Sequence, residues 1–168
     1  MMILQEITDI NEIDSVLKEA QMCRIALQNG DKPYITPMLF GYCLSGGLPE
    51  FYFRCKEKSE IIEVIKKNNR AAFEIDRLYE VVPNEENPAL FEAVYECVGG
   101  SGVIEFITGI DKITGFSHIF KKYNKGGECN ISEQLLNSFA VLKLTAAEIW
   151  CKKQNKVTEE NKGESNEL

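Results

Sequence analysis

The sequence predicts a mainly β fold, an antiparallel barrel of about six strands with short helices over its openings. Short apolar runs such as the alternating Cys23–Gln28 and the aromatic Glu50–Cys55 recur along the chain, separated by Gly, Pro and Asn turn signals. These runs follow one another in hairpin order, and the helical patterns between them are few and short. The length of 168 residues, 44% hydrophobic and 27% charged, suits one globular domain with a sizeable core. That domain is expected over residues 1–151. From Lys152 onward four Lys and four Glu leave almost nothing to bury, so 152–168 reads as a polar, disordered tail.

Taken in order, Asn11–Ala20 is a helix, with Ile10, Ile13, Leu17 and Ala20 at helical spacing and Asp9 and Glu12 in a capping arrangement. Cys23–Gln28 is a strand, and Asn29-Gly30 fits a type I′ turn into its partner, Tyr34–Leu44. Pro33 and Pro37 lack N–H donors, which makes that partner irregular or an edge strand near them. Ser45-Gly46-Gly47 with Pro49 turns the chain into Glu50–Cys55. Ser59 is placed to cap a helix ending at Asn68, and Arg70–Asp76 is the next strand. Arg77–Pro88, charged and carrying two prolines, reads as a loop. Leu90–Val98 is a strand, broken or bent at Gly99-Gly100-Ser101-Gly102 and resumed at Val103–Ile107. Phe91 and Tyr95 read as barrel core. Thr108–Asp111 opens a helix whose buried side is Ile113, Phe116, Phe120 and Tyr123. A glycine-rich loop and a short helix near Ser132–Asn137 precede the last strand, Phe139–Leu144.

Composition narrows the function. No apolar run approaches the ~20 residues that span a bilayer, and the N-terminus lacks a signal-peptide pattern, so a cytoplasmic location is expected. The six cysteines form no C-x-x-C pair, and His118 is the single histidine. Reduced thiols, without metal or disulfide, are expected. From Arg54 to Arg70 six cationic residues face three acids, in a chain of net charge −7. A concentrated cationic island where a strand feeds a helix suits a small anionic ligand, not a nucleic acid or a membrane.

The segments CRIALQNGDKPYITPMLFGY, FYFRC, IKKNNRAAFEID, YECVGGSGVIEFI, DKITGFSHIFKKY and FAVLKLTAAEIWCK, in that order, bring a resemblance into view. From about Cys23 to Lys152 the chain resembles the FMN-binding split β-barrels related to pyridoxamine 5′-phosphate oxidase, and within them the nitroimidazole-resistance group. The resemblance implies a homodimer with flavin at the subunit interface and the phosphate held after the third strand. By position, it implies that Thr36, Pro37 and Met38 line the ring, with Phe53, Arg54 and Cys55 at its edge. Lys56, Lys58 and Ser59 fall in the phosphate turn. Glu96 and Cys97 match a Glu-Ser pair near the flavin, and Lys152 matches the lysine of a Thr-Gly-Lys ending.

Departures from the pattern bear on the reaction. Arg54 stands where a histidine is frequent in the group, Ile61 where a helix-borne lysine is usual, and Trp150-Cys151 where Thr-Gly is expected. No arginine follows Arg77, which weighs against oxidation of a vitamin B6 phosphate. A flavin would carry electron or hydride transfer, with Arg54 placed to stabilise negative charge on the ring and Trp150 able to stack on it. Read on spacing alone, Arg54 is also a solvated strand end, Lys56 and Lys58 a charged turn, and Trp150 an interface residue. No residue is singled out as catalytic. Two functions remain open: a flavin-dependent oxidoreductase that reduces a nitroimidazole- or quinone-like electrophile, and a non-catalytic flavin- or haem-binding protein. His118 is the one imidazole available to a haem.

Overall fold

A computed structural model describes residues 2–44, 47–124 and 131–156. The predicted turn at Ser45-Gly46, Cys129, most of the glycine-rich loop and tail residues 157–168 lie outside the described residues. The described chain forms β1 (Met2–Glu6), α1 (Ile10–Glu19), β2 (Cys23–Asn29), β3 (Lys32–Met38), β4 (Phe40–Cys43) and β5 (Glu50–Lys56). Then follow α2 (Glu60–Lys67), β6 (Arg70–Pro83), β7 (Phe91–Ile107), α3 (Gly109–Tyr123), α4 (Glu133–Leu136) and β8 (Phe139–Lys156).

All eight strands belong to one antiparallel sheet in the order β3-β2-β6-β7-β8-β5-β4, with β1 added along β8. The two ends of this order, β3 and β4, are consecutive in the chain and joined through Leu39, yet they do not pair. The sheet therefore curls without closing, as a split barrel does.

Strand periodicity sets the two sides. On β5, Phe51 and Phe53 enter the main core, while Tyr52 between them joins a second cluster with Ile107, Ile119, Leu136, Phe139 and Val141. The main core holds Ile25, Phe73, Ile75, Val98, Ile104, Leu142 and Leu144, covered by Val16 and Leu17 of α1 and Ile61, Ile62, Val64 and Ile65 of α2. The first helix thus buries Ile13, Leu17 and Ala20 as its spacing selects, but leaves Ile10 at its start 43% exposed.

Several expectations are corrected. Eight strands replace about six, and β1 carries no signal of its own because its pairing with β8 is long-range. The first hairpin turns on Gly30-Asp31, since Asn29 pairs with Lys32 and only Gly30 has positive φ (67°), the pattern of a type II′ turn. Tyr34–Leu44 is two strands, broken at Leu39, two residues after Pro37. Arg77–Pro83 is strand, not loop, and pairs with Phe91–Glu96 after a register shift at Leu78/Glu80. β7 runs unbroken through Gly99–Gly102, bonded by β6 and β8 from both sides, and the register shift at Ser101/Gly102 agrees with the bulge expected there.

The tail boundary also moves. Lys152–Lys156 continue β8, pairing with Met2–Glu6 on one side, and Lys152–Gln154 pair with Tyr95–Cys97 on the other. Their polarity conceals ladder bonds that only the tertiary structure supplies. Phe91 is 71% exposed and Tyr95 half-buried, so neither is barrel core. On α3 the buried residues are Gly115 and Ile119, with Phe116, Phe120 and Tyr123 half-buried and Ile113 exposed. No described helix is long and apolar enough to cross a membrane.

Candidate functional site: a cationic cleft at the open seam

A cleft of about 790 Å³ lies where the barrel fails to close. Pro37, Met38 and Leu39 form one wall at the β3–β4 junction. Arg54, Cys55, Lys56, Glu57 and Lys58 come from the end of β5 and its following turn, and Leu135, Ser138 and Phe139 from the entry to β8. Register explains the meeting: Lys56 is opposite Phe139 and Arg54 opposite Val141. Alternation places Arg54 and Lys56 on the same outward face as Tyr52, away from the core residues Phe51 and Phe53.

The turn into α2 is tight. Ser59 donates both its N–H (3.0 Å) and its hydroxyl (2.6 Å) to the Lys56 carbonyl. Ser59 does occupy the N-cap position, but its hydroxyl is turned back to Lys56 and α2 opens without a side-chain cap. Uncapped amides and the positive end of the helix favour an anion there. Arg54, Lys56 and Lys58 are exposed, and among the described residues none of them forms an ion pair. By contrast, Arg24, Arg77, Lys66, Lys143, Lys153 and Lys156 each meet a carboxylate. An apolar wall beside three unpaired cations fits a flat aromatic ligand bearing a phosphate. Cys55 is half-buried, and burial pushes its thiol up against the opposing effect of a Ser59 hydrogen bond, so it is no ready nucleophile.

A model of the family described as pyridoxamine 5′-phosphate oxidase matches residues 9–153. The chain belongs to this family. Solved structures of similar fold include a "putative 5-nitroimidazole antibiotic resistance protein" from Bacteroides thetaiotaomicron (TM-score 0.75, 20% identity, 94% of this chain and 93% of that one). Another is the FAD and heme binding protein from Mycobacterium smegmatis (TM-score 0.72, 16% identity, 97% and 80%). A third is the flavocytochrome Anf3 from Azotobacter vinelandii (TM-score 0.68, 16% identity, 94% and 74%). At these identities the likeness is one of fold. No curated protein matches the chain.

The pyridoxamine 5′-phosphate oxidase fold divides the sequence-predicted site residues. Pro37, Met38, Arg54, Cys55, Lys56 and Lys58 line the cleft. Thr36 is half-buried, one residue before that wall, opposite Ile25. Phe53 is fully buried in the barrel core, so only its backbone is available to a ligand. Ile61 is likewise core, 3% exposed, and supplies nothing in place of the expected lysine.

Glu96 and Cys97 do not act as a pair, because successive strand residues face opposite ways. The Glu96 carboxylate receives Lys153 Nζ at 2.6 Å and the Tyr79 hydroxyl at 2.5 Å. Burial alone would raise its pKa, yet these two bonds hold it below the usual carboxylate value. Cys97 lies opposite Lys152 and Asp76 on the other face. Two residues along, Trp150 stands opposite Gly99, with the Lys152 ammonium 5.2 Å from its ring centre. Cys97, Trp150 and Lys152 thus form a second group that does not line the cleft within one chain.

His118, carried on α3, is half-buried and stacks on Tyr52 at 5.0 Å and 6° between planes. Burial, with Lys121 nearby, lowers its pKa and keeps the ring neutral near pH 7.

Sequence reasoning missed Leu39, Leu135, Ser138 and Phe139. Only the β5–β8 register could have located Phe139. No local pattern ties it to Lys56.

Proposed function

We propose that the chain binds FMN in this cleft and serves as an oxidoreductase towards a small electrophile of nitroimidazole or quinone type. The observation that carries the reading is the set of unpaired cations, Arg54, Lys56 and Lys58, beside an uncapped helix and an apolar wall. Lys56, Lys58 and the opening amides of α2 would hold the phosphate, with Ser59 shaping the turn. Pro37, Met38 and Leu39 would cover the ring and limit water. Bound flavin supplies electron or hydride transfer; the protein supplies position and charge, with Arg54 stabilising negative charge at the ring's edge.

The names of the similar structures support a flavin, and one carries nitroimidazole resistance. Two of them also name a haem or a flavocytochrome, which keeps a haem-binding, non-catalytic protein as the second reading.

The second group of residues supports a homodimer, expected to lie in the cytoplasm. Leu78, Tyr95, Gln154 and Leu4 form one row across β6, β7, β8 and β1, and Trp150 belongs to the same face. Leu4, Leu78 and Trp150 are exposed there, at 54%, 59% and 43%. An exposed apolar sheet face of this kind suits a second copy, which would bring Trp150 and Lys152 to its partner's flavin.

The test is the absorption spectrum of the purified protein and the mass of whatever acid releases. Flavin bands and FMN are expected, with the dithionite-reduced protein reoxidised by a nitroimidazole or quinone under exclusion of air. A Soret band lost on mutation of His118, or failure to retain or rebind any chromophore, would overturn the reading.

A further inference from the structure

We propose that Lys112, in the first turn of α3, acts with Arg54 to hold negative charge on the flavin ring, separately from the turn that holds the phosphate. The proposal rests on the flavin reading above and concerns a residue that neither the sequence pattern nor the cleft's own strands suggest. Phe139 joins the two cations. It lines the cleft and is itself 6% exposed. The Arg54 guanidinium carbon lies 5.7 Å from its ring centre and the Lys112 ammonium 5.8 Å.

A ring face compensates a cation only weakly. Two like charges brought to one ring repel, and among the described residues neither meets a carboxylate. The arrangement is stable alone only through solvent, and improves when an anion faces both. That anion is not the phosphate if Lys56 and Lys58 hold it at the turn, beyond Arg54 on the same strand. A ring running from the turn along the apolar wall comes to Arg54 and Phe139 next. Uptake of two electrons and one proton leaves the flavin ring with one net negative charge. Arg54 and Lys112 are the cations positioned to meet it, so they favour the reduced form over the oxidised one.

The test compares affinities for oxidised and dithionite-reduced flavin, with FMN and with riboflavin, in the full chain and in Lys112→Gln and Lys112→Arg. A partly exposed charge predicts that Lys112→Gln lowers the reduced-over-oxidised preference about threefold, for both flavins alike. The equivalent readout is a more negative midpoint potential against a reference dye. Binding of oxidised FMN should be unchanged, and Lys112→Arg should retain the preference. An unchanged preference in Lys112→Gln, with flavin bound, would overturn the proposal and leave Lys112 as a cover for Phe139. A loss for oxidised FMN but not riboflavin would also overturn it, by assigning Lys112 to the phosphate. A wild-type chain that binds no flavin defeats the flavin reading itself and this proposal with it.

Discussion

Glu96 is 8% exposed and the sole charged residue among the buried groups described. Its place is secured by Lys153 and Tyr79, not by solvent. Replacing it by Gln leaves Lys153 without its counter-ion and should cost about 1–3 kcal/mol at pH 7 by urea unfolding. The sign of the pH dependence follows from the lowered pKa. The unfolded state binds the proton first, so the stabilisation is present above the ordinary value of 4.5 and is lost as pH falls below it. The gap between wild type and Glu96→Gln should therefore narrow between pH 5 and pH 3. A gap independent of pH would show that the ion pair contributes nothing. The Glu96–Cys97 dipeptide was visible in the sequence, and the strand expected over Leu90–Val98 already sets its members on opposite faces; that Glu96 meets Lys153 and Tyr79 became visible only with the tertiary structure.

At the scale of elements, α3 covers the second apolar cluster and brings the Lys112 ammonium to 5.8 Å from the ring centre of Phe139, which lines the cleft, so its docking matters to the site. It approaches β4 so closely that a methyl group on Gly41 would lie 2.3 Å from the backbone of His118 and Ile119. Tyr123 bridges the Phe40 N–H and the Gln21 carbonyl, and Lys122 donates to the Leu17 and Lys18 carbonyls at the end of α1. Gly41→Ala must push the helix away, costing about 1–3 kcal/mol or more. Gly30→Ala, in open space but at positive φ, should cost ~1 kcal/mol. Thermal unfolding should rank the two in that order; equal melting temperatures would contradict the close packing. The elements that sequence periodicity located, such as β2 and α2, are those whose apolar spacing coincides with burial. The ends of β6 and β8 were missed because their residues are exposed or polar on both faces, and their support comes from strands distant in sequence.

For the whole molecule, the curled sheet leaves one seam open, and the contiguous basic segment Arg54–Lys58 lies along it. That contiguity made the cationic turn legible in the sequence. Leu39, Leu135 and Phe139 were not legible as its companions, because only chain reversal and strand pairing bring them there. The remaining sheet face, with Leu4, Leu78 and Trp150, carries the residues that one copy of the chain leaves outside its own cleft. The account depends on the turn before Ser59 gripping a phosphate. Titration of FMN and riboflavin into wild type and a Lys56→Ala/Lys58→Ala variant tests this most directly. FMN should weaken at least about tenfold, on the scale of hydrogen bonds between charged groups, while riboflavin is nearly unaffected. Equal losses for both ligands, or none for FMN, would contradict it.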